Sequence, residues 1–406
     1  MRKINTKSFR RATRTTTREI NRQIVLNLVH EHQPISRAEL ARRMGVARGS
    51  VTPLVKDLLA DGLIYERASG ATSRGRRPKL LYVRTGDRLA IGVDIRYSGT
   101  SILLGDFAGR EIATERFPTP LPPEELVTEL SRRIGALVRK FSDIGDFEGV
   151  GLVVPGMVDR ATGVVLHAPT LHWRDVDLRK ALAARVDMPV HIERDAVACA
   201  MAHMWLGHNG SERDSNFVYL TVSDGVGTGL VVNGGVLRGM RSTAGEFGHV
   251  PLNLEGPRCA CGARGCLEAY TSNPATVARY LGWELSSPEA YQELRTCGVG
   301  VSDVISRARN GDGAATWALW ETGRCLGIGI ANLINSVSPA QVVVGGEITA
   351  AWDLIEPAVR ESIRDRALTT VSADTPLAIE PEEDVLRLRG GTCLVLAPVL
   401  VAPEVA

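Results

Sequence analysis

The 406-residue sequence holds no apolar run long enough to span a bilayer and no charged-then-apolar leader, so a non-exported, cytoplasmic chain with no membrane partner is expected. Cysteine is sparse. Of seven, Cys199, Cys297, Cys325 and Cys393 stand singly, a spacing that suits a reducing compartment and argues against a disulfide scaffold. Strong charge of one sign is also missing from the total, which is only +2. That balance hides a division. Residues 1–87 carry 19 Lys/Arg and 7 Asp/Glu, a net +12, whereas the remainder carries 29 and 39, a net −10. A basic head on an acidic body is the charge pattern of a module that meets a polyanion. The length exceeds one hydrophobic core, so two or three domains are expected.

The head has a helical pattern. Ile20, Ile24, Val25, Leu28 and Val29 recur at helical spacing and predict a first helix from Thr16 that ends before Pro34. Ser36-Arg37-Ala38-Glu39 reads as a capping box opening a second helix, with Leu40, Ala41 and Met44 inward and Gly45 closing it. A third helix carries Val51, Leu54, Val55, Leu58 and Leu59 inward and is expected to start near Ser50, which would keep Pro53 in its first turn. This is helix-turn-helix spacing, with the last helix in the major groove. Leu63–Arg67 and Lys79–Val83 predict the two strands of a wing, tipped by Arg74, Arg76 and Arg77 for a narrow minor groove. Arg48, Ser50, Thr52 and Lys56 are the candidate base and phosphate contacts on the third helix. Double-stranded DNA is therefore the expected partner of residues 1–87, a winged helix-turn-helix domain with a basic N-terminal arm.

Further on, Cys259, Cys261 and Cys266 fall within eight residues beside Gly262 and Gly265, ten positions after His249. One imidazole and three thiolates complete a tetrahedral zinc shell, leaving no position for an activated water; the expected role is structural, with one Zn2+ per chain. Free thiols or a disulfide are the competing readings. Around this loop the chain alternates strand and helix. Leu89–Asp94, Ser101–Leu104, Gly149–Val154, Val190–Ile192, Phe217–Val222, Leu230–Val232 and Gln341–Val344 read as strands and Pro123–Phe141 as a helix, an α/β architecture.

Gly245-Glu246-Phe247-Gly248-His249, followed by Cys-x-Cys-Gly-x-x-Gly-Cys-x-Glu, resembles the signature of the ROK family (repressor, open reading frame, kinase), and the likeness extends over roughly residues 88–406. The resemblance implies an actin-like (ribonuclease H-like) body of two lobes. Lobe 1 would span about 88–200 plus the C-terminal helix, and lobe 2 about 201–380 with the zinc loop. In the family's kinases the cleft takes ATP and a hexose. Carried over motif by motif, Asp195 is the carboxylate that accepts a sugar-hydroxyl proton, here a vestigial catalytic candidate, and Glu246, His249 and Glu268 are sugar ligands. Thr170 and Arg194 stand where asparagines contact the sugar. The first phosphate loop departs from the pattern. It reads Asp94-Ile95-Arg96-Tyr97-Ser98, so two large side chains fill glycine positions. Asp224-Gly225-Val226-Gly227-Thr228-Gly229 and Val344-Gly345-Gly346-Glu347 keep their glycines, and the favoured reading of them is inherited strand-to-helix turns.

Two functions compete. One is a non-enzymatic, sugar-responsive DNA-binding regulator, expected to be a repressor and a homodimer or homotetramer that binds operator DNA and a sugar or sugar-derivative effector. The other is an active ATP-dependent sugar kinase with an added DNA-binding domain. Arg96 and Tyr97 favour the first. A guanidinium at 194 leaves open a phosphorylated or carboxylated effector.

Overall fold

A computed structural model of the chain describes residues 13–68, 79–107, 109–206, 215–381 and 383–400. The wing-tip arginines Arg74, Arg76 and Arg77 lie outside these residues.

The head packs α1 (Arg14–His32), α2 (Arg37–Arg43) and α3 (Arg48–Ala60) against a three-stranded sheet of β1 (Ile35–Ser36), β3 (Lys79–Val83) and β2 (Ile64–Ala68). Its core is Val25, Leu26, Val29, Leu40, Val51, Val55, Leu58, Ile64 and Leu81. Three sequence expectations shift. In α1 it is Leu26 that turns inward, whereas Ile24, on the opposite side of the helix, is 40% exposed. Ser36 caps α2 by accepting from the Glu39 amide at 3.2 Å, but the Glu39 carboxylate turns to Arg42 and Arg43 instead of closing the box. Helix α3 begins at Arg48, two residues early, so Pro53 sits in its second turn on the exposed face. There its ring points to solvent, and Thr52 Oγ1 donates to the Arg48 carbonyl at 3.1 Å within the same first turns.

Four residues, Arg84–Asp87, join head to body, and both sides hold them. The Arg84 amide donates to Leu63 O, the Phe107 amide to Thr85 O and the Asp146 amide to Asp87 O. Body lobe 1 is a five-stranded sheet of order β11-β7-β4-β5-β6, built from β4 (Arg88–Arg96), β5 (Gly99–Asp106), β6 (Glu111–Phe117), β7 (Asp146–Val154) and β11 (Val190–Arg194). Strands β4, β7 and β11 run parallel. Helix α4 (Pro123–Phe141) covers one face through Leu126, Leu130 and Ile134. A small sheet of β8 (Met157–Asp159), β9 (Val164–Ala168) and β10 (Trp173–Val176), with α5 (Leu178–Ala183), flanks it.

Helix α6 (Asp195–Leu206) follows β11 without a loop and leads to lobe 2. That lobe's sheet has the order β14-β13-β12-β15-β16, from β12 (Phe217–Val222), β13 (Val226–Val232), β14 (Gly235–Val236), β15 (Gln341–Gly345) and β16 (Leu377–Glu380). The segment 224–229, expected as a strand-to-helix turn, is largely the start of β13. Helices α7 (Glu268–Thr271), α8 (Asn273–Leu281), α9 (Pro288–Thr296), α10 (Val301–Arg309), α11 (Gly313–Val337), α12 (Trp352–Arg366) and α13 (Thr370–Ala373) complete the lobe. The last helix, α14 (Glu383–Leu400), returns to lobe 1 and lies against α6, β4 and β7. No helix among the described residues is long and apolar enough to cross a membrane.

Close approach of α14 to its sheet requires glycine on both sides. A Cβ on Gly151 would be driven into the Gly391 carbonyl, and one on Gly92 into the Leu388 carbonyl. Overpacking of this kind costs about 1–3 kcal/mol when the structure can yield, and more against backbone. Gly151→Ala is therefore expected to lower the body's midpoint in thermal denaturation by several degrees; an unchanged midpoint would show that α14 is not seated as described.

Candidate functional site

The parallel strands of both lobes end on one cleft of about 690 Å3. In open α/β sheets the carboxyl ends of parallel strands leave backbone and side chains free to meet a ligand. Here β4 delivers Arg96, β7 delivers Pro155 and Gly156, β11 delivers Arg194 and Asp195, β12 delivers Ser223, and β15 is followed by Glu347. Thr170, Glu246, His249 and Glu268 line the same space. The residues singled out from sequence as sugar ligands are therefore gathered in one place.

Their partners refine their capacities. Glu268 Oε2 accepts from the Val226 amide at 2.9 Å, and Oε1 faces Cys259 Sγ at 3.2 Å, so this carboxylate ties β13 to the cysteine loop. Arg194 is 4% exposed and its fork is already spent. Nη1 donates to Glu246 Oε1, Nη2 donates to the carbonyls of Ala244 and Thr228, and only Nε is left without a partner. Instead of reaching a ligand's phosphate or carboxylate, this guanidinium orients Glu246. Burial pushes the Glu246 carboxyl up, with Arg194 and His249 pulling against it.

The cysteine loop is shaped for a cation. His249, Cys259, Cys261 and Cys266 bring their ligand atoms within 4.8 Å of one another. Cys259 Sγ lies 3.7 Å from His249 Nδ1, and Cys261 Sγ 3.8 Å from Cys266 Sγ. Tetrahedral sulfurs about 2.3 Å from one metal would sit about 3.8 Å apart, so the residues fit a four-coordinate ion. Gly265, at φ +71°, lets the loop turn back, since a Cβ there would strike Asn253 O. With Nδ1 toward the sulfurs, His249 Nε2 faces Glu246 Oε2 at 4.0 Å and looks into the cleft.

Four residues on another side of the cleft, Arg96, Tyr97, Arg295 and Arg387, fill it with guanidinium groups and one ring. Arg96 Nε donates to Asp94 Oδ2 at 2.7 Å, and its Nη2 lies 2.6 Å from Asp384. Tyr97 carries the Arg295 guanidinium over its ring at 4.8 Å, joining lobe 1 to α9 across the cleft. Deeper in, Arg387 of α14 donates through Nε to Asp94 Oδ1 at 3.1 Å and through Nη1 to Asp195 Oδ2 at 3.1 Å, with Glu383 Oε1 3.7 Å away. Burial alone would raise the Asp94 carboxyl, but Arg387 and Arg96 outweigh it and hold it below its usual value. Burial pushes Glu383 up to about 7 despite Arg387. The two glycine segments 224–229 and 344–347 serve packing. A Cβ on Gly229 would enter the Ala196 carbonyl, on Gly225 it would lie 2.9 Å from Glu268 Oε2, and on Gly346 it would enter the Val222 carbonyl.

Sequence reasoning missed Arg387, Arg295 and Glu383. Arg387 is one arginine on an amphipathic helix, and nothing in Asp384-Val385-Leu386-Arg387-Leu388-Arg389 distinguishes it from a solvated residue. In the head, Arg48, Ser50 and Lys56 are exposed on α3 and Thr52 is half-buried. Arg18 and Arg22 of α1 pair with Asp57 of α3 and with Asp61 at its C-terminal cap, so those cations are engaged within the head.

The ROK family model matches residues 90–396, and a MarR family model matches residues 24–75. A xylose repressor of Caldicellulosiruptor bescii is 28% identical over 407 residues, covering 97% of this chain and 99% of its own. The DNA-binding transcriptional dual regulator NagC of Escherichia coli K12 is 28% identical over 365 residues, covering 89% of this chain and 88% of its own. Among solved structures, a ROK family transcriptional regulator homologous to the E. coli MLC protein superimposes with a TM-score of 0.77 at 25% identity, covering 95% of this chain and 99% of its own. A ROK family glucokinase from Streptomyces griseus, in complex with glucose and AMPPNP, gives 0.64 at 29%, covering 75% and 98%. The kinase likeness leaves the head uncovered; the regulator likeness includes it.

The cysteine cluster is tested by elemental analysis. Purified chain is expected to hold close to one metal ion, and Cys261→Ser to lose it together with several degrees of thermal stability, because a closed shell contributes folding energy directly. Metal-free protein prepared without chelators would contradict this.

Proposed function

The chain belongs to the ROK family, and from that footing we propose that it is a sugar-responsive, DNA-binding transcriptional repressor whose body senses its effector in the interlobe cleft. The observation that carries this reading is the replacement of phosphate space by Arg96, Tyr97 and Arg387, alongside a complete helix-turn-helix head. Kinases of this architecture depend on positioning the transferred phosphoryl group and stabilising its charge. Here Asp195, the residue placed to take a hydroxyl proton, is engaged by a guanidinium, and the first phosphate loop is occupied by side chains. The chain acts as no enzyme in this account.

The effector is a sugar or sugar derivative. Glu246, Glu268, Asp195 and Thr170 offer oxygens that accept from or donate to vicinal hydroxyls, and His249 Nε2 adds a further polar contact. Arg194 acts by aiming Glu246. The ion in the cysteine loop is a structural Zn2+ held by His249, Cys259, Cys261 and Cys266. By fixing His249 through one ring nitrogen it sets the other toward the sugar. A ligand held between lobes lowers DNA affinity only as far as it prefers the non-binding arrangement. Arg48, Ser50, Thr52 and Lys56 meet the major groove, and Arg74, Arg76 and Arg77 the minor groove or phosphates. A single head reads few base pairs, so the working form is an even-numbered homo-oligomer on a two-fold symmetric operator, with half-sites about one helical turn or a multiple apart.

DNA titrations at several salt concentrations test the reading. Binding is expected to fall about a thousandfold between 50 and 200 mM salt, by counterion release. Arg76→Ala with Arg77→Ala is expected to weaken all duplexes alike, and Ser50→Ala to change preference between duplexes by about tenfold. Salt-insensitive binding, or none to any selected duplex, would refute the repressor assignment.

The effector site has its own test. In a thermal-shift screen of sugars and sugar phosphates, the ligand that stabilises the wild type is expected to release it from DNA. Glu268→Gln is expected to blunt that release, and Glu246→Ala to blunt it more severely, with metal content and effector-free DNA binding unchanged. Undiminished release in the double variant would move the sensing site elsewhere; loss of metal or fold together with release would mean that these carboxylates only order the loop.

A further inference from the structure

Three structural elements run from the cleft to the head, and one side chain holds the cleft end of all three. Strand β4 starts at Arg88, immediately after the four-residue connection to the head, and ends at Asp94 and Arg96. Helix α6 starts at Asp195 and ends beside Trp205, whose ring packs on the head's core as well as on the body. Helix α14 starts with Glu383 and Arg387 in the cleft. It continues to Leu394, packed with Met201 and Trp205, and to Val395 and Leu396, packed on Phe107 and Ala90 beside the connection. Helix α14 also lies against α1 of the head. Between Asp195 and Trp205 a helix rises about 15 Å, and from Arg387 to Leu396 about 14 Å. Six residues of β4 span about 20 Å. Arg387 bonds to Asp94 and Asp195 and neighbours Glu383, and it is 2% exposed.

We propose that Arg387 is the knot through which occupancy of the cleft reaches the DNA-binding head, with Trp205 the contact that receives it. The inference rests on the repressor reading for its purpose. A ligand hydroxyl that donates to Asp195 competes for the carboxylate oxygens that hold Arg387. Loosening one of the three ties lets α6 move relative to α14 and β4, and small displacements of packed rods become discrete rearrangements because interiors are close-packed. At the far end the head has no slack to absorb the motion. Its connection is hydrogen-bonded on both sides, and Trp205 packs against its core. Arg387 is thus a positioning residue, and its effect is expected where it makes no contact.

Hydrogen–deuterium exchange of the full chain tests this in four proteins: wild type, Arg387→Gln, Trp205→Ala and the double variant. Distant, independent substitutions act additively. Arg387→Gln is expected to speed exchange at least fivefold in Arg14–His32 while Gly313–Val337, in the lobe 2 core, stays protected. In the Trp205→Ala background the same substitution is expected to add less than twofold to the head. An unaltered head in Arg387→Gln, or an equal increment with and without Trp205, would overturn the proposal. If Arg387→Gln also exposes Gly313–Val337, Arg387→Lys decides. It keeps the charge but cannot fork between carboxylates, so faster head exchange supports the knot and wild-type exchange overturns it. The repressor assignment fails separately, by absence of DNA binding, and leaves the exchange pattern readable.

Discussion

The constraint on which the cleft depends is the burial of the Arg387 guanidinium between Asp94 and Asp195. The buried Arg387 guanidinium and Asp94 carboxylate each cost several kcal/mol to take out of water, and their mutual attraction and hydrogen bonds, with the half-buried Asp195 as a further partner, offset that cost. Removing one member of such a set leaves the others uncompensated, at about 3–5 kcal/mol. Cleft geometry, the setting of α6 and the return path of α14 are therefore interdependent. The glycines that bring α14 onto the sheet belong to the same arrangement, because Arg387 reaches Asp94 only when the helix backbone lies close to β4 and β7.

In this ROK-family cleft the protein's cations are turned inward. Where a kinase would present bare backbone to a polyphosphate, this chain presents its own cations to its own carboxylates: Arg96 to Asp94 and Asp384, and Arg387 to Asp94 and Asp195. The surviving glycine motifs look like phosphate loops in sequence because helix packing and phosphate approach demand the same thing, a residue without a Cβ. Gly229 under α6 and Gly346 under β12 meet the first demand. The opposite side of the cleft is organised differently: Glu268 joins β13 to the cysteine loop, and His249 joins that loop to the cleft.

Much of this was legible in the sequence, because it rests on local patterns. The helix-turn-helix, the strands Phe217–Val222 and Gln341–Gly345, helix Pro123–Phe141 and the His-Cys-Cys-Cys grouping all follow from periodicity or spacing. The family motif brought Asp195, Glu246, His249 and Glu268 to one cleft. What escaped was tertiary. Ile24 and Leu26 are both apolar but lie on opposite sides of the helix, and packing decides which side turns inward. Pro53 suggested a later start for α3, but its exposed ring is tolerated in the second turn. Arg387 carries no motif, since its partners lie 293 and 192 residues away in sequence. Arg194 was identified as a site residue, yet its task as the support of Glu246 depends on the Ala244 and Thr228 carbonyls, which no spacing reveals.

If protein cations hold the phosphate positions, nucleotide should find no site while the rest of the cleft stays open. Isothermal titration of the wild type as purified with Mg2+ and AMPPNP measures this directly, with and without any sugar found to stabilise the protein. No heat of binding is expected at millimolar nucleotide in either case. Saturable binding at micromolar nucleotide, abolished by Asp195→Ala or strengthened by the sugar, would contradict the account and return the chain to the kinases.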